Sequence, residues 1–234
     1  MTDMRNRKVN LNGVDITRFD SYEEIVQKVF SEKKVFVAIN PEKIVNPKIW
    51  LTKLINENIG YVDGVGVLFG LWKKGVFQKR RLPGFKLWLE VVKSKPEAGY
   101  YLIGGTKNVL DNTISQLRKD FPNIKIKGFL DGFSYFNRVE KTNIEINELK
   151  PRVVFIAMGS PRQEKIMKDL FESHKASYIG LGGSFDYYVK KVHRTPEWIQ
   201  RIGLQWLHRL IMQPKRFKRQ IVLVKYLFNL VFKY

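Results

Sequence analysis

Three short stretches set polar side chains beside glycine or proline in patterns that can support chemistry. Asn40-Pro41-Glu42 follows the apolar run VFVAI. Asp63 stands after a short β-branched segment and before Gly64 and Gly66, which let the backbone approach a ligand closely. GSPRQE, residues 159–164, opens a stretch of helical period and puts Arg162, Gln163 and Glu164 in its first turn. An aspartate so placed can take a proton as a general base. A helix N-terminus offers free N–H groups and partial positive charge, so it receives phosphate or carboxylate. Gln163 both donates and accepts, which suits a sugar hydroxyl or a uracil edge. Each stretch also has a plain structural reading. Asn40 can cap a helix, Asp63-Gly64 can be an ordinary turn, and Ser160 can cap the helix whose first turn Glu164 favours. Taken alone, the residues favour the cap for Asn40 and the ordinary turn for Asp63.

A fourth stretch, YYLIGGTKNV at 100–109, runs strand, glycines, helix. Gly104 lies in it, but the full G-x-G-x-x-G spacing is missing, so the nucleotide signal is weak. Other chemistries lack their residues. The chain has no cysteine, hence no thiolate nucleophile or thiolate metal site. His174, His193 and His208 are scattered without metal-ligand spacing. Neither Asp-x-Asp nor G-x-S-x-G occurs, which leaves no metal–diphosphate clamp and no serine-hydrolase elbow. Nucleophilic hydrolase chemistry therefore has no clear candidate, and no metal or cofactor is expected.

The surrounding pattern predicts how these residues are held. Residues 8–17 alternate around Asn12-Gly13 as a tight hairpin does. Asp20 or Ser21 can cap a helix running to about Phe30. Short apolar runs at 35–39, 100–104, 124–130, 153–158 and 177–181 read as strands, with helical stretches at 84–94, 107–120 and 162–173 between them. Strands alternating with helices predict an α/β fold: a Rossmann-like, mostly parallel sheet with helices on both faces. After about residue 190 the rhythm gives way to helical spacing from Pro196 to Tyr234. This divides the chain into an α/β catalytic domain at 1–194 and a basic amphipathic helical appendage at 195–234.

The net charge of +20 calls for an anionic partner: nucleic acid, a membrane surface or a phosphorylated substrate. Between 221 and 232 the appendage is rich in Ile, Leu, Val and Phe, with Lys218, Lys225, Asn229 and Lys233 on a narrow polar stripe. It is too short to span a bilayer. It fits a helix lying in the membrane interface, and equally a helix packed back onto the sheet. The first residues, MTDMRNRKVN, lack the apolar core of a signal peptide, so a cytoplasmic protein is expected.

Taken together, Asn40-Pro41-Glu42, Asp63-Gly64-Val65-Gly66, Arg81-x-x-Gly84, YLIGG at 101–105, FPNIKIKGFLDGF at 121–133, GSPRQE, residues 180–210 and PKRFKRQ at 214–220 resemble the WecG/TagA/CpsF family of bacterial glycosyltransferases. The resemblance covers nearly the whole chain. It implies a peripheral enzyme at the cytoplasmic face of the cell membrane, acting in cell-surface polysaccharide or teichoic acid synthesis. Such enzymes move N-acetylmannosamine or a related hexose from a UDP-sugar donor to a polyprenyl-diphosphate-linked acceptor, with inversion and without a metal. Asp63 matches the family's proposed base, and Asn40 and Gln163 match pocket-lining positions. Arg209, Arg216 and Arg219 match arginines expected to close over the site, with Arg81 and Arg194 further candidates to meet the charge of the departing diphosphate. This favours an interfacial appendage and an anionic membrane as partner, with self-association as one way to hide the apolar tail in water. The chain departs from the family pattern at Ala38, where many members have Thr, and at Lys86, where an acid is usual. The rival from another class is a basic nucleic-acid-binding protein. The basic residues gather in an amphipathic tail and no RNA or DNA module motif appears, so no nucleic-acid partner is expected. A pyridine-nucleotide oxidoreductase is disfavoured by the incomplete glycine fingerprint.

Overall fold

The computed structural model describes residues 7–189 and 217–232. Positive φ at Asn12 (52°) and Gly13 (82°) closes a hairpin between β1 (Lys8–Leu11) and β2 (Val14–Thr17), as the Asn-Gly pair predicts. Ser21 caps α1 (Tyr22–Ser31) by accepting the Glu24 N–H at 3.4 Å. The chain then alternates. β3 (Val35–Ile39) leads through α2 (Pro41–Val45) and α3 (Ile49–Glu57) to β4 (Ile59–Val62), then α4 (Val65–Lys73) and α5 (Gly84–Ser94). β5 (Tyr100–Gly104), α6 (Lys107–Asp120), β6 (Ile126–Leu130) and α7 (Val139–Leu149) follow. β7 (Val153–Ala157), α8 (Arg162–Ser173), β8 (Ser177–Gly180), the short α9 (Ser184–Tyr188) and α10 (Phe217–Phe232) complete the described strands and α-helices.

The strands form one sheet in the order β1-β2-β4-β3-β8-β7-β5-β6, parallel except for the β1–β2 hairpin. Helices cover both faces, which is why the inner strands read as unbroken apolar runs. Alternate residues of each strand serve different cores. Val35, Val37 and Ile39 face the side packed by α2, α3, α4, α8 and α10, whereas Phe36 faces the side of α1, α5, α6 and α9. Trp88 anchors the second side, with Phe155, Phe185 and Tyr188 around its ring at centroid distances of 5.1 to 5.7 Å.

The strands and the helices at 84–94, 107–120 and 162–173 fall where their periodicity places them. Periodicity does not show β4, since four residues with a glycine among them carry no visible alternation.

The described part of the appendage, α10, packs onto the body against α2 and α4. Its docked side carries Val222, Tyr226, Asn229 and Leu230; Lys225, Leu227, Phe228 and Phe232 are exposed. Asn229 of the polar stripe is therefore buried, while Lys225 reaches water. Glycine makes the approach possible. A methyl group at Gly70 would come within 2.5 Å of the Tyr226 hydroxyl and 2.6 Å of Leu11 Cδ1. Lys73 adds a hydrogen bond to the Leu230 carbonyl.

Gly70→Val is expected to destabilise the protein by about 2 kcal/mol through overpacking. Tyr226→Ala should cost about 3 to 5 kcal/mol through the cavity it opens. Because both changes act on one contact, the double variant should lose at least about 1 kcal/mol less than the sum in urea unfolding. Strict additivity would show that the two residues do not share this contact.

Candidate active site

In a parallel α/β sheet a ligand crevice forms where neighbouring strands send the chain to opposite faces. β3 and β8 are such neighbours. After β3 the chain enters α2 on one face, and after β8 it enters α9 on the other. The carboxyl ends of β3, β4, β7 and β8 carry Asn40, Asp63, the 158–163 turn and Gly182.

Backbone contacts bring the Asn40 and Asp63 loops together. The Asp63 and Gly64 N–H groups both donate to the Ile39 carbonyl, at 3.1 and 3.2 Å. A side chain at Gly64 would lie 3.2 Å from Pro41 Cδ, so a bare glycine lets the loops touch. Asn40 is half-buried and caps α2 by accepting the Lys43 N–H at 3.3 Å. Its capping role holds in the structure, at the mouth of the crevice.

Asp63 is half-buried, and its Oδ1 accepts the Gly84 N–H at 3.0 Å. It thus satisfies a free donor at the start of α5, which has no side-chain cap of its own. The hydrogen bond to Gly84 engages Oδ1, so Oδ2 is the oxygen considered for taking a proton. Beneath Asp63 lie the hydroxyls of Tyr22 and Tyr61, buried and without hydrogen-bond partners among the described residues. Burial pushes both phenols up, and the nearby Asp63 carboxylate pushes the same way. Half-buried Arg81 opposes the shift at Tyr22, which puts its guanidinium within electrostatic range of the same cluster.

The 158–163 turn differs from its simplest reading. Pro161 occupies the cap position of α8, and no side chain caps the helix. Arg162 is exposed and lies over the Phe136 ring at 5.6 Å, while Gln163 and Glu164 turn inward. Gln163 accepts the Gly182 N–H at 2.8 Å, joining α8 to the loop after β8. Glu164 is not an exposed helix-favouring charge: it is fully buried and pairs with Lys43 at 3.1 Å. Composition gave no sign of Lys43, because its ammonium enters the protein from α2, four residues beyond the strand that predicts the loop's position.

Gly104 has a different task. Its φ is +131°, and a Cβ there would come 2.3 Å from the Ala157 carbonyl oxygen, so glycine serves close strand packing of β5 on β7. Arg194, Arg209 and Arg216 lie outside the described residues, and Arg219 is on α10. Among the described residues no three metal-ligating side chains gather, and no helix is long and apolar enough to cross a membrane. A groove of about 530 Å³ between α1 and α5, lined by Tyr22, Glu23, Phe30 and Glu90, lies on the flank of the sheet.

Such a sheet, with polar loops gathered at the carboxyl ends of its strands, defines a doubly wound α/β enzyme. The sequence profile described as "Glycosyl transferase WecG/TagA/CpsF family" matches residues 9–234, and the chain belongs to that family. It is similar to the N-acetylglucosaminyldiphosphoundecaprenol N-acetyl-beta-D-mannosaminyltransferase of Bacillus subtilis (strain 168), with 32% identity over 219 residues, covering 88% of this chain and 83% of that protein. The protein is a glycosyltransferase, and its reaction class is hexosyl transfer.

The cap role of Asp63 separates its structural and chemical contributions. Asp63→Ala should cost about 1 kcal/mol by leaving the Gly84 N–H unmatched. Asp63→Asn keeps an acceptor oxygen and should unfold within about 0.5 kcal/mol of wild type. Equal stability of the Ala variant and wild type in thermal unfolding would show that the cap contributes nothing.

Proposed function

We propose that the protein transfers N-acetylmannosamine or a related hexose from a UDP-sugar to a GlcNAc linked to a polyprenyl diphosphate, with inversion and without a metal. The observation that carries this reading is the 32% identity over 219 residues to the Bacillus subtilis enzyme, whose name states both sugar and lipid-linked acceptor, beside the family match over residues 9–234. The crevice supports it by placing the Asp63 carboxylate, held by the Gly84 N–H, and the Gln163 amide at one edge of the sheet.

In this mechanism the acceptor hydroxyl gives its proton to Asp63 Oδ2 as its oxygen attacks the anomeric carbon. The bond from that carbon to the diphosphate oxygen breaks, and UDP leaves with the electron pair. The Gly84 N–H fixes the carboxylate in one orientation, so little rearrangement accompanies proton transfer. Asn40 and Gln163 serve the sugar and nucleotide. Arg81, Arg194, Arg209, Arg216 and Arg219 meet the charge that grows on UDP. The 1–194 catalytic domain works at the cytoplasmic face of the membrane, with the 195–234 appendage bringing it to the lipid carrier. The outward side of α10 supports the membrane role: Phe228 is 59% and Phe232 70% exposed beside Lys225, an aromatic and basic face suited to an anionic interface.

The test is UDP release from a panel of UDP-sugars in EDTA, with and without lipid-diphosphate-GlcNAc, by wild type and Asp63→Asn. Acceptor-dependent release from one donor, reduced about 100-fold or more in the variant, is expected for loss of a general base. Release that survives in Asp63→Asn would remove Asp63 from its role, and silence across the panel would remove the donor class. For the membrane, the double change Phe228→Ser, Phe232→Ser should weaken binding to vesicles containing phosphatidylglycerol by about tenfold or more. Undiminished vesicle binding would sink the interfacial role of α10.

A further inference from the structure

The polar groups of the crevice form one buried chain that spans three strand ends. The Lys43 ammonium donates to the Ala38 carbonyl at 2.9 Å on β3 and pairs with Glu164 Oε1 at 3.1 Å on α8. The same Oε1 accepts from Gln163 Nε2 at 3.3 Å, and Gln163 Oε1 accepts the Gly182 N–H at 2.8 Å after β8. At the other end, the Lys43 N–H is the group that Asn40 caps. The side chains of Lys43 and Glu164 are 6% and 0% exposed, and Gln163 is 4% exposed. Glu164 Oε2 has no hydrogen-bond partner among the described residues.

Two features set this chain apart from ordinary core packing. A buried ion pair is a poor way to gain stability, because apolar residues of similar volume do as well or better. An unmatched carboxylate oxygen adds a further cost, and such groups in folded proteins call for an explanation other than stability. The chain also fixes something specific. Gln163 has its oxygen committed to Gly182 and one amide hydrogen committed to Glu164, so its amide cannot flip and its second N–H points one way only.

We infer that Glu164 and Lys43 are positioning residues, which lock the Gln163 amide and the Asn40 loop in the orientation that sugar transfer uses. The inference rests on the donor-site reading above and deepens it. Glu164 orients Gln163 directly, Lys43 ties α2 and its Asn40 cap to α8, and neither needs to touch the substrate.

The test is the full-length double variant Lys43→Met, Glu164→Met, which removes both charges together and so leaves no buried charge unpaired. It is expected to unfold at or above the wild-type temperature. Its kcat is expected to fall about 10- to 100-fold, the cost of misplacing groups around a reacting centre. The KM for the donor should rise as well. A readout independent of turnover is the Gln163 side-chain amide pair in the nitrogen–proton NMR spectrum, assigned by its absence in Gln163→Glu. In wild type these protons should exchange slowly with water, and in the double variant they should exchange as fast as those of an exposed glutamine. Wild-type kcat in the double variant, or unchanged Gln163 protection, would overturn the inference and leave the pair a packing feature. If wild type turns over no UDP-sugar, the donor-site reading fails, and the Gln163 exchange rates still decide whether the pair positions this amide.

Discussion

The buried Lys43–Glu164 pair ties β3 to α8 beside the β3–β8 crevice, and the proposed site is arranged around that tie. A parallel sheet leaves its strand-end carbonyls and turns without further strands to pair with, so something must hold the loops above them. Here a single ammonium joins a β3 carbonyl to a carboxylate on α8, and that carboxylate in turn holds the glutamine that binds the β8 loop. Short links do the rest. The Asp63 loop hangs from the Ile39 carbonyl, and Asp63 itself caps α5. Asn40, Asp63 and Gln163, the residues proposed for the site, therefore also hold the loops of the fold.

That economy extends to the C-terminal helix. α4 starts one residue beyond the Asp63-Gly64 pair and uses Gly70 to admit Tyr226, so the element bearing the exposed Phe228 and Phe232 is seated on the helix that issues from the site. α10 also packs on α2, the helix that Asn40 caps. Among the described residues, α10 has one side committed to the protein and exposes Lys225, Leu227, Phe228 and Phe232. The two readings open for the tail, packed on the body or lying at an interface, are thus compatible.

The fold was largely legible because buried parallel strands write themselves as apolar runs, and the strands at 35–39 and 100–104 start and stop where those runs do. β4 was not, since Gly60 lies against the Asp15 carbonyl and breaks the pattern that periodicity needs. For the site, glycine and proline marked the loops, so Asn40, Asp63 and Gln163 stood out by position. Their partners did not. Lys43 and Glu164 look like solvated charges in the sequence, and only the crossing of α2 and α8 over the strand ends brings them together. Tyr61 likewise reads as a strand aromatic, and its hydroxyl gains meaning from Asp63, two residues on and just past the end of β4.

The central claim is that donor and chemistry occupy the carboxyl edge of the sheet at the β3–β8 crevice. A crystal structure of the protein with UDP bound tests it most directly. The account predicts the diphosphate over the carboxyl ends of β3, β7 and β8, within reach of Asn40 and Gln163 and facing Asp63. UDP seated in the flank groove between α1 and α5, or at the amino edge of the sheet, would contradict it.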